Sequence, residues 1–232
     1  MTTLFVTGID TDIGKTVACG VLAKTMLARG LSVYTQKLVE TGCIYGESND
    51  LFAHEQIVGK SFNFSTPELH CPYRFITPAS PHLAAERDNR RVDSDFLAQQ
   101  MTLLAQQCDH LLVEGAGGLC VPLNQEKMII DFIDEQKLPV VLVTSPRLGS
   151  INHTLLSLSL CLTKSIDVRA IIYNHYPDVD DWLVKDTKAV LQEKLKRSYP
   201  KILWLDLHNK KQDFVIEASQ WAKLLGLVPL KT

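Results

Sequence analysis

Apolar residues in this chain follow two rhythms. Short continuous runs alternate with longer stretches in which apolar side chains recur every three or four positions. The short runs predict buried strands over Leu4–Thr7, Leu31–Lys37, Leu111–Val113, Pro139–Val143, Val168–Tyr173 and Ile202–Leu205. The third of these is expected to end at Glu114. The longer rhythm predicts helices over Lys15–Ala28, Asp50–Val58, Asp93–Gln107, Met128–Glu135, Ile151–Thr163, Trp182–Arg197 and Phe214–Leu225. The boundaries carry stop and start signals. Gly30 follows the first helix, Ser48 or Asn49 can cap the second, and Asp93 caps the third. Runs such as VVLV and AIIY are apolar on both faces, as parallel strands covered on both sides must be. The regular alternation therefore predicts an α/β chain: a three-layer sandwich with a mostly parallel central sheet. Ligands of such sheets bind at the C-terminal ends of the strands.

Composition narrows the function class. A chain of 232 residues, 46% hydrophobic and 22% charged, is expected to fold as a single domain over 1–232. The formal net charge of −2 argues against wrapping nucleic acid by bulk charge. The most apolar stretch, Leu155–Leu162, is short and broken by Ser157, Ser159 and Cys161, so no membrane span is expected. The opening MTTLFVTGIDTDIGK has neither a basic start nor a long apolar run, so a secretory leader is not expected. The expected location is the cytoplasm, with free thiols: the six Cys form no C-x-x-C pair. The sequons at Asn63 and Asn152 then carry no meaning.

Candidate chemistry gathers at predicted strand ends. Gly8-Ile9-Asp10-Thr11-Asp12-Ile13-Gly14-Lys15-Thr16 follows the first strand and opens a helix, the context of a phosphate-binding loop. Backbone N–H groups at a helix start satisfy phosphate oxygens. Gly14 lets the backbone approach closely, Lys15 reaches the outer phosphates, and the Thr16 hydroxyl suits Mg²⁺. The spacing is one residue longer than the common G-x4-G-K-T. Glu114 follows three apolar positions, Leu111–Val113, and enters Gly115-Ala116-Gly117-Gly118, where a nucleotide-hydrolysing site carries an acid. Asp50, read alone, is only an acid at a helix start, paired with the dipole.

These elements, taken with Lys37-x-x-Glu40-Thr41-Gly42, Ser80-Pro81-His82 and Leu148-Gly149-x-Ile151-Asn152-His153, occur in one order that resembles the dethiobiotin synthetase family. The similarity runs from Leu4 to about Asn174. It implies an ATP- and Mg²⁺-dependent ligase that carboxylates 7,8-diaminopelargonate with CO₂. The product, a cyclic urea, forms through a carbamate and a carbamic–phosphoric anhydride. The resemblance places Asp12, Ile13, Gly14, Lys15, Thr16 and Val17 on the phosphates. It places Thr16, Asp50 and Glu114 on Mg²⁺, and Lys37, with Lys15, on the transferred charge as catalytic residues. The resemblance also implies that Gly115, Ala116 and Gly117 line the site. It puts Thr41, Ser80, Pro81 and Gly117 on the diamine, and Asn174, His175, Leu203, Trp204 and Leu205 near the base. A homodimer is implied as well, in which Leu148, Gly149 and Asn152 of one subunit complete the neighbour's substrate site. Leu38 and Leu203 stand where the family commonly has Pro, and Thr41 where it commonly has Ser.

The alternative class is a P-loop ATPase switch of the partitioning or division-site type. Such proteins commonly carry a second Lys near the start of the loop, where this chain reads Gly8-Ile9-Asp10. The tail, 214–232, has only Lys223 and Lys231 as cations, which is weak for a membrane surface.

Overall fold

The computed structural model describes residues 2–44, 46–60, 66–176, 179–208 and 218–226. Its centre is a six-stranded, all-parallel sheet. The strands are β1 (Thr2–Gly8), β2 (Val33–Lys37), β5 (His110–Gly118), β6 (Val140–Thr144), β7 (Val168–Asn174) and β8 (Leu203–Leu207), in the order β2-β5-β1-β6-β7-β8. A second, two-stranded parallel sheet pairs β3 (Val39–Thr41) with β4 (Tyr73–Phe75). The helices are α1 (Lys15–Leu27), α2 (Asn49–Val58), α3 (Pro67–His70), α4 (Pro81–Arg87), α5 (Ser94–Ala105), α6 (Ile129–Glu135), α7 (Ser150–Thr163), α8 (Asp181–Ser198) and α9 (Ala218–Leu225). They flank the sheet, with α1 packed on α2, α3 on α5 and α7 on α8. This is the three-layer architecture the alternation predicts.

The core follows from the strand composition. Leu4, Phe5 and Val6 of β1, Leu111–Val113 of β5, Val140–Val143 of β6 and Ala170–Ile172 of β7 are all inaccessible to solvent or nearly so. Each such aliphatic or aromatic side chain stabilises the fold by about 1.5–3 kcal/mol relative to exposure. β1 lies between β5 and β6, and the chain leaves it to reach β2 on the far side of β5. Strand order thus reverses beside β1, and the loop that follows β1 opens at this switch point.

Several predicted boundaries move. The third predicted strand does not end at Glu114 but runs on to Gly118. The cause is visible in the register: Val6 pairs with Glu114, but Gly8 pairs with Gly118, so β5 spends extra residues in an irregular segment beside β1. Short β3, β4, α3 and α4 were not predicted. Phe214, the expected start of the last helix, lies outside the described residues, where α9 begins at Ala218. The six cysteines are free thiols, five of them buried. Among the described residues no helix is long and apolar enough to cross a membrane.

Candidate active site

The loop after β1 turns into α1 through Gly14, which sits at φ 93°. A Cβ there would lie 2.2 Å from Asn174 Nδ2, so only glycine fits both the backbone angle and the space. Asn174, at the end of β7, donates from Nδ2 to the Ile13 carbonyl (3.0 Å) and so ties the loop to a strand end two strands away from β1. Lys15 is buried, and its Nζ donates to the Asp10 carbonyl (2.9 Å). Burial, joined by the nearby Lys37 ammonium, lowers Lys15 to about 8, although Glu114 and Asp50 oppose them. A triphosphate entering this loop would relieve both effects. Asp10 also pairs with Arg147, from the β6–α7 connection.

Lys37 and Glu114 meet because they are direct partners in the β2–β5 register. In a parallel pair such partners project from the same face, side by side. Lys37 Nζ lies 2.8 Å from Glu114 Oε1 and donates to the Gly115 carbonyl (3.2 Å). The same ammonium lies 2.5 Å from Asp50 Oδ2. Thr16 Oγ1, one residue into α1, is 3.0 Å from Asp50 Oδ1 and 2.9 Å from Glu114 Oε1. Burial disfavours charge on Lys37, but Glu114 and Asp50 outweigh it and hold the ammonium above its ordinary range. Burial likewise pushes Glu114 up, yet Lys37 and then His54 overcome it and hold the carboxyl well below the usual range. Both groups are therefore ionised across the physiological range.

Two further buried residues hold this constellation. Glu40, in β3, takes a hydrogen bond from the Ser48 hydroxyl and from the backbone N–H groups of Asn49 (2.8 Å) and Asp50 (3.3 Å). Ser48 in turn caps α2 by accepting from the Leu51 N–H (3.2 Å). The carboxylate of Glu40 thus grips the N-terminus of the helix that carries Asp50. On the same helix, His54 Nε2 lies 2.9 Å from Glu114 Oε2. Sequence reasoning quoted Glu40 only as a motif letter and passed over His54. A usable signal existed for the second: His54 is four residues after Asp50, hence on the same helix face.

The described residues enclose a cavity of about 1030 Å³ around these groups. Asp12, Gly14, Lys15, Thr16, Val17, Lys37, Thr41, Asp50, Ser80, Pro81, Glu114, Ala116, Gly117 and Asn174 come together in its lining, and Glu40 and Tyr176 join them. Ile13 and Gly115 are buried and absent from the lining, and their carbonyls accept from Asn174 and Lys37, which line the cavity. The structure does not bring His175, Leu203, Trp204 or Leu205 to the cavity. Leu203 and Leu205 face the core. Trp204 stacks on Tyr173 with ring centroids 5.2 Å apart, and His175 pairs with Asp206 (2.8 Å). Asp206 also receives Lys188 and Trp204 Nε1, so the His175–Asp206–His208 group is already an ion-paired network. Leu148, Gly149 and Asn152 lie at the start of α7, away from the lining of this chain's own cavity, with Leu148 83% exposed. At the position where the family commonly has Pro, the Leu38 N–H donates to the Glu114 carbonyl (3.0 Å), a bond proline cannot make.

Thr16 offers a hydroxyl within hydrogen-bonding distance of both the Asp50 and the Glu114 carboxylates, the hard oxygen set that Mg²⁺ takes together with phosphate and water. The Lys37 ammonium between the carboxylates shows that this point already favours positive charge.

A profile of the AAA domain family matches residues 2–230. The chain is 48% identical to the ATP-dependent dethiobiotin synthetase BioD 2 of Haemophilus ducreyi, covering 85% of this chain and 93% of that protein. It is 44% identical to the Pasteurella multocida protein of the same name (86% and 94% covered) and 42% identical to the ATP-dependent dethiobiotin synthetase BioD of Chlorobaculum tepidum (84% and 81%). The chain belongs to the dethiobiotin synthetase family. Among solved structures, cell division protein FtsY of Thermotoga maritima aligns with a TM-score of 0.54 at 16% identity, covering 98% of this chain and 68% of that one. The signal recognition particle receptor FtsY of Elizabethkingia anophelis, in complex with GDP, gives 0.55 at 15%, covering 97% and 63%. At such identities the likeness is one of fold, the P-loop nucleotide-binding architecture, and the family membership rests on the dethiobiotin synthetases.

Proposed function

We propose that this protein is an ATP-dependent dethiobiotin synthetase. It joins CO₂ to 7,8-diaminopelargonate and closes the cyclic urea at the expense of ATP. The observation that supports this most strongly is the convergence of Lys37, Asp50, Glu114 and Thr16 beside the phosphate loop, at one end of a cavity large enough for nucleotide and diamine together.

The reaction needs three bond-forming steps. One amine attacks CO₂ and loses a proton, giving a carbamate. A carbamate oxygen takes the γ-phosphoryl group from ATP, and ADP leaves. The second amine attacks the carbonyl carbon, the C–O bond to phosphate breaks, and phosphate departs. Charge grows on the transferred oxygens in the second step, so fixed cations there lower the barrier. Lys37 is held charged and buried at the strand end, able to turn from its carboxylates to those oxygens. Lys15 sits where the outer phosphates lie. Thr16, Asp50 and Glu114 would hold Mg²⁺, which would supply charge neutralisation for the phosphates. Thr41, Ser80, Pro81 and Gly117 form another part of the wall and receive the diamine.

The diamine's carboxylate tail is received by a second copy of the chain. Leu148, Gly149 and Asn152 sit at a helix start without a side-chain cap, an end whose dipole suits a carboxylate, and Leu156 on the same helix is 60% exposed. The active species is a homodimer with shared substrate sites, working in the cytoplasm. The test is direct: protein, ATP, Mg²⁺, bicarbonate and 7,8-diaminopelargonate are incubated and the cyclic urea is sought by mass spectrometry. Its formation supports the reading, and ATP hydrolysis without that product overturns it in favour of a P-loop switch.

A further inference from the structure

Glu114 is buried to the point of zero exposure, yet its two oxygens have different partners. Oε1 faces the site and receives Thr16 Oγ1 and Lys37 Nζ. Oε2 points away from that group and meets His54 Nε2 at 2.9 Å. His54 itself is fully buried and absent from the cavity lining, so it touches neither substrate nor nucleotide space. It reaches Glu114 because α2 packs closely on α1. Gly20 of α1 leaves room for Ile57 of α2, whose Cδ1 would stand 2.9 Å from a Cβ at that position. Cys19, next to Gly20, completes the enclosure: its sulfur, the His54 ring nitrogen and a Glu114 oxygen all lie within 4.8 Å of one another. Burial raises the Cys19 thiol, and like His54 it is shut off from the cavity, so this group is not a nucleophile with its base.

A carboxylate rotates about its last bond unless both oxygens are fixed. At a metal site that freedom costs affinity, which is why ligands are held by outer partners. We propose that His54 is a positioning residue: its Nε2 holds Glu114 Oε2 from behind, so that Oε1 stays turned toward Thr16 and Asp50, where the divalent ion binds. This rests on the reading of Glu114 as a metal ligand. α2 is then a single device serving both acids. Its N-terminus presents Asp50, and one turn later His54 orients Glu114 on another strand.

The test is Mn²⁺ binding to the protein in the presence of ADP, followed by electron paramagnetic resonance, with ADP binding in the absence of metal measured alongside. His54→Leu keeps apolar bulk and removes the donor. It is expected to weaken Mn²⁺ binding by about 10–100-fold, with metal-free ADP binding unchanged. His54→Gln places an amide N–H near the position of Nε2 and is expected to restore most of the affinity. His54→Asn falls one bond short and is expected to behave like Leu, so the Gln–Asn pair carries the comparison should His54→Leu fail to fold. Wild-type Mn²⁺ affinity in a folded Leu or Asn variant would overturn the proposal, as would an equal loss in Gln and Asn. Glu114→Gln separates the two readings. If it weakens Mn²⁺ binding and the His54 variants do not, the positioning role alone falls. If it has no effect, the assignment of Glu114 to the metal falls, and the positioning role with it.

Discussion

Two lysines share this site and are tuned in opposite directions. Lys37 has two carboxylates beside it and stays charged at any working pH. Lys15 has lost solvent without gaining a carboxylate contact, and burial lowers it to about 8. The sign of the pH effect follows. Below pH 8 Lys15 is already protonated, so nucleotide affinity should be flat. Above it, a proton must be taken up for the ammonium to meet the phosphates. Affinity for ADP should then fall, approaching about tenfold per pH unit. Titration calorimetry across pH 7–10 tests this, with Lys15→Met as the variant expected to lose the slope, and a flat profile in the unmodified protein contradicts it. Lys37→Ala should retain Mg²⁺–nucleotide binding and lose turnover by about 10²–10³-fold. It also strands Glu114 and Asp50 without their cation. Removing one partner of a buried ion pair costs about 3–5 kcal/mol. Denaturant unfolding should therefore show a variant that is weak without Mg²⁺ and largely recovered with it, and retained turnover would take Lys37 out of the mechanism.

Among the secondary elements, α2 decides how well the acids are placed. Its N-terminus is gripped by Glu40 and capped by Ser48. Ser48→Ala should cost about 1 kcal/mol by denaturant unfolding, the usual worth of a cap. Glu40→Ala should cost about 1–2 kcal/mol, by leaving part-buried N–H donors at the helix start unmet, and should raise the Mg²⁺ concentration needed for activity. Unchanged stability and Mg²⁺ dependence in both variants would mean that Asp50 is held by something else. The Ser48 cap was readable from the sequence, whereas the contacts of Glu40 and His54 were not, because Glu40 and Asp50 meet through a loop and His54 meets Glu114 across two elements. The phosphate loop, the strand end at Lys37 and the acid after Leu111–Val113 were readable, since each is local: an apolar run followed by its polar terminus. The strands β3 and β4 span three residues each and show no period. The continuation of β5 through Gly115–Gly118 defied a strand reading because glycines carry no side-chain alternation, and only pairing with β1 reveals it.

At the scale of the whole molecule, the boundary of the substrate site matters most. The phosphate loop, β3 and the turn before α4 are among the walls of the cavity. Leu148, Gly149 and Asn152 stand elsewhere on the same chain, so in the shared-site account each active centre draws on two subunits. Lys37→Ala and Asn152→Ala chains, each nearly inactive alone, should regain activity when mixed and allowed to exchange, since a mixed dimer holds one intact site. The absence of recovery in a proven mixed dimer would place each site within one subunit. Fold likeness to the FtsY proteins carries no weight for the reaction itself, because one fold serves many chemistries. The reaction is better interrogated by the fate of one oxygen. If Lys37 and the phosphate loop deliver the γ-phosphoryl group to a carbamate, then with ¹⁸O-labelled CO₂ one labelled oxygen must leave in inorganic phosphate for each cyclic urea formed. Label in the phosphate, in equal amount to the urea, is the predicted result, and unlabelled phosphate would show that ATP is cleaved by water and that the site does not do the chemistry assigned to it.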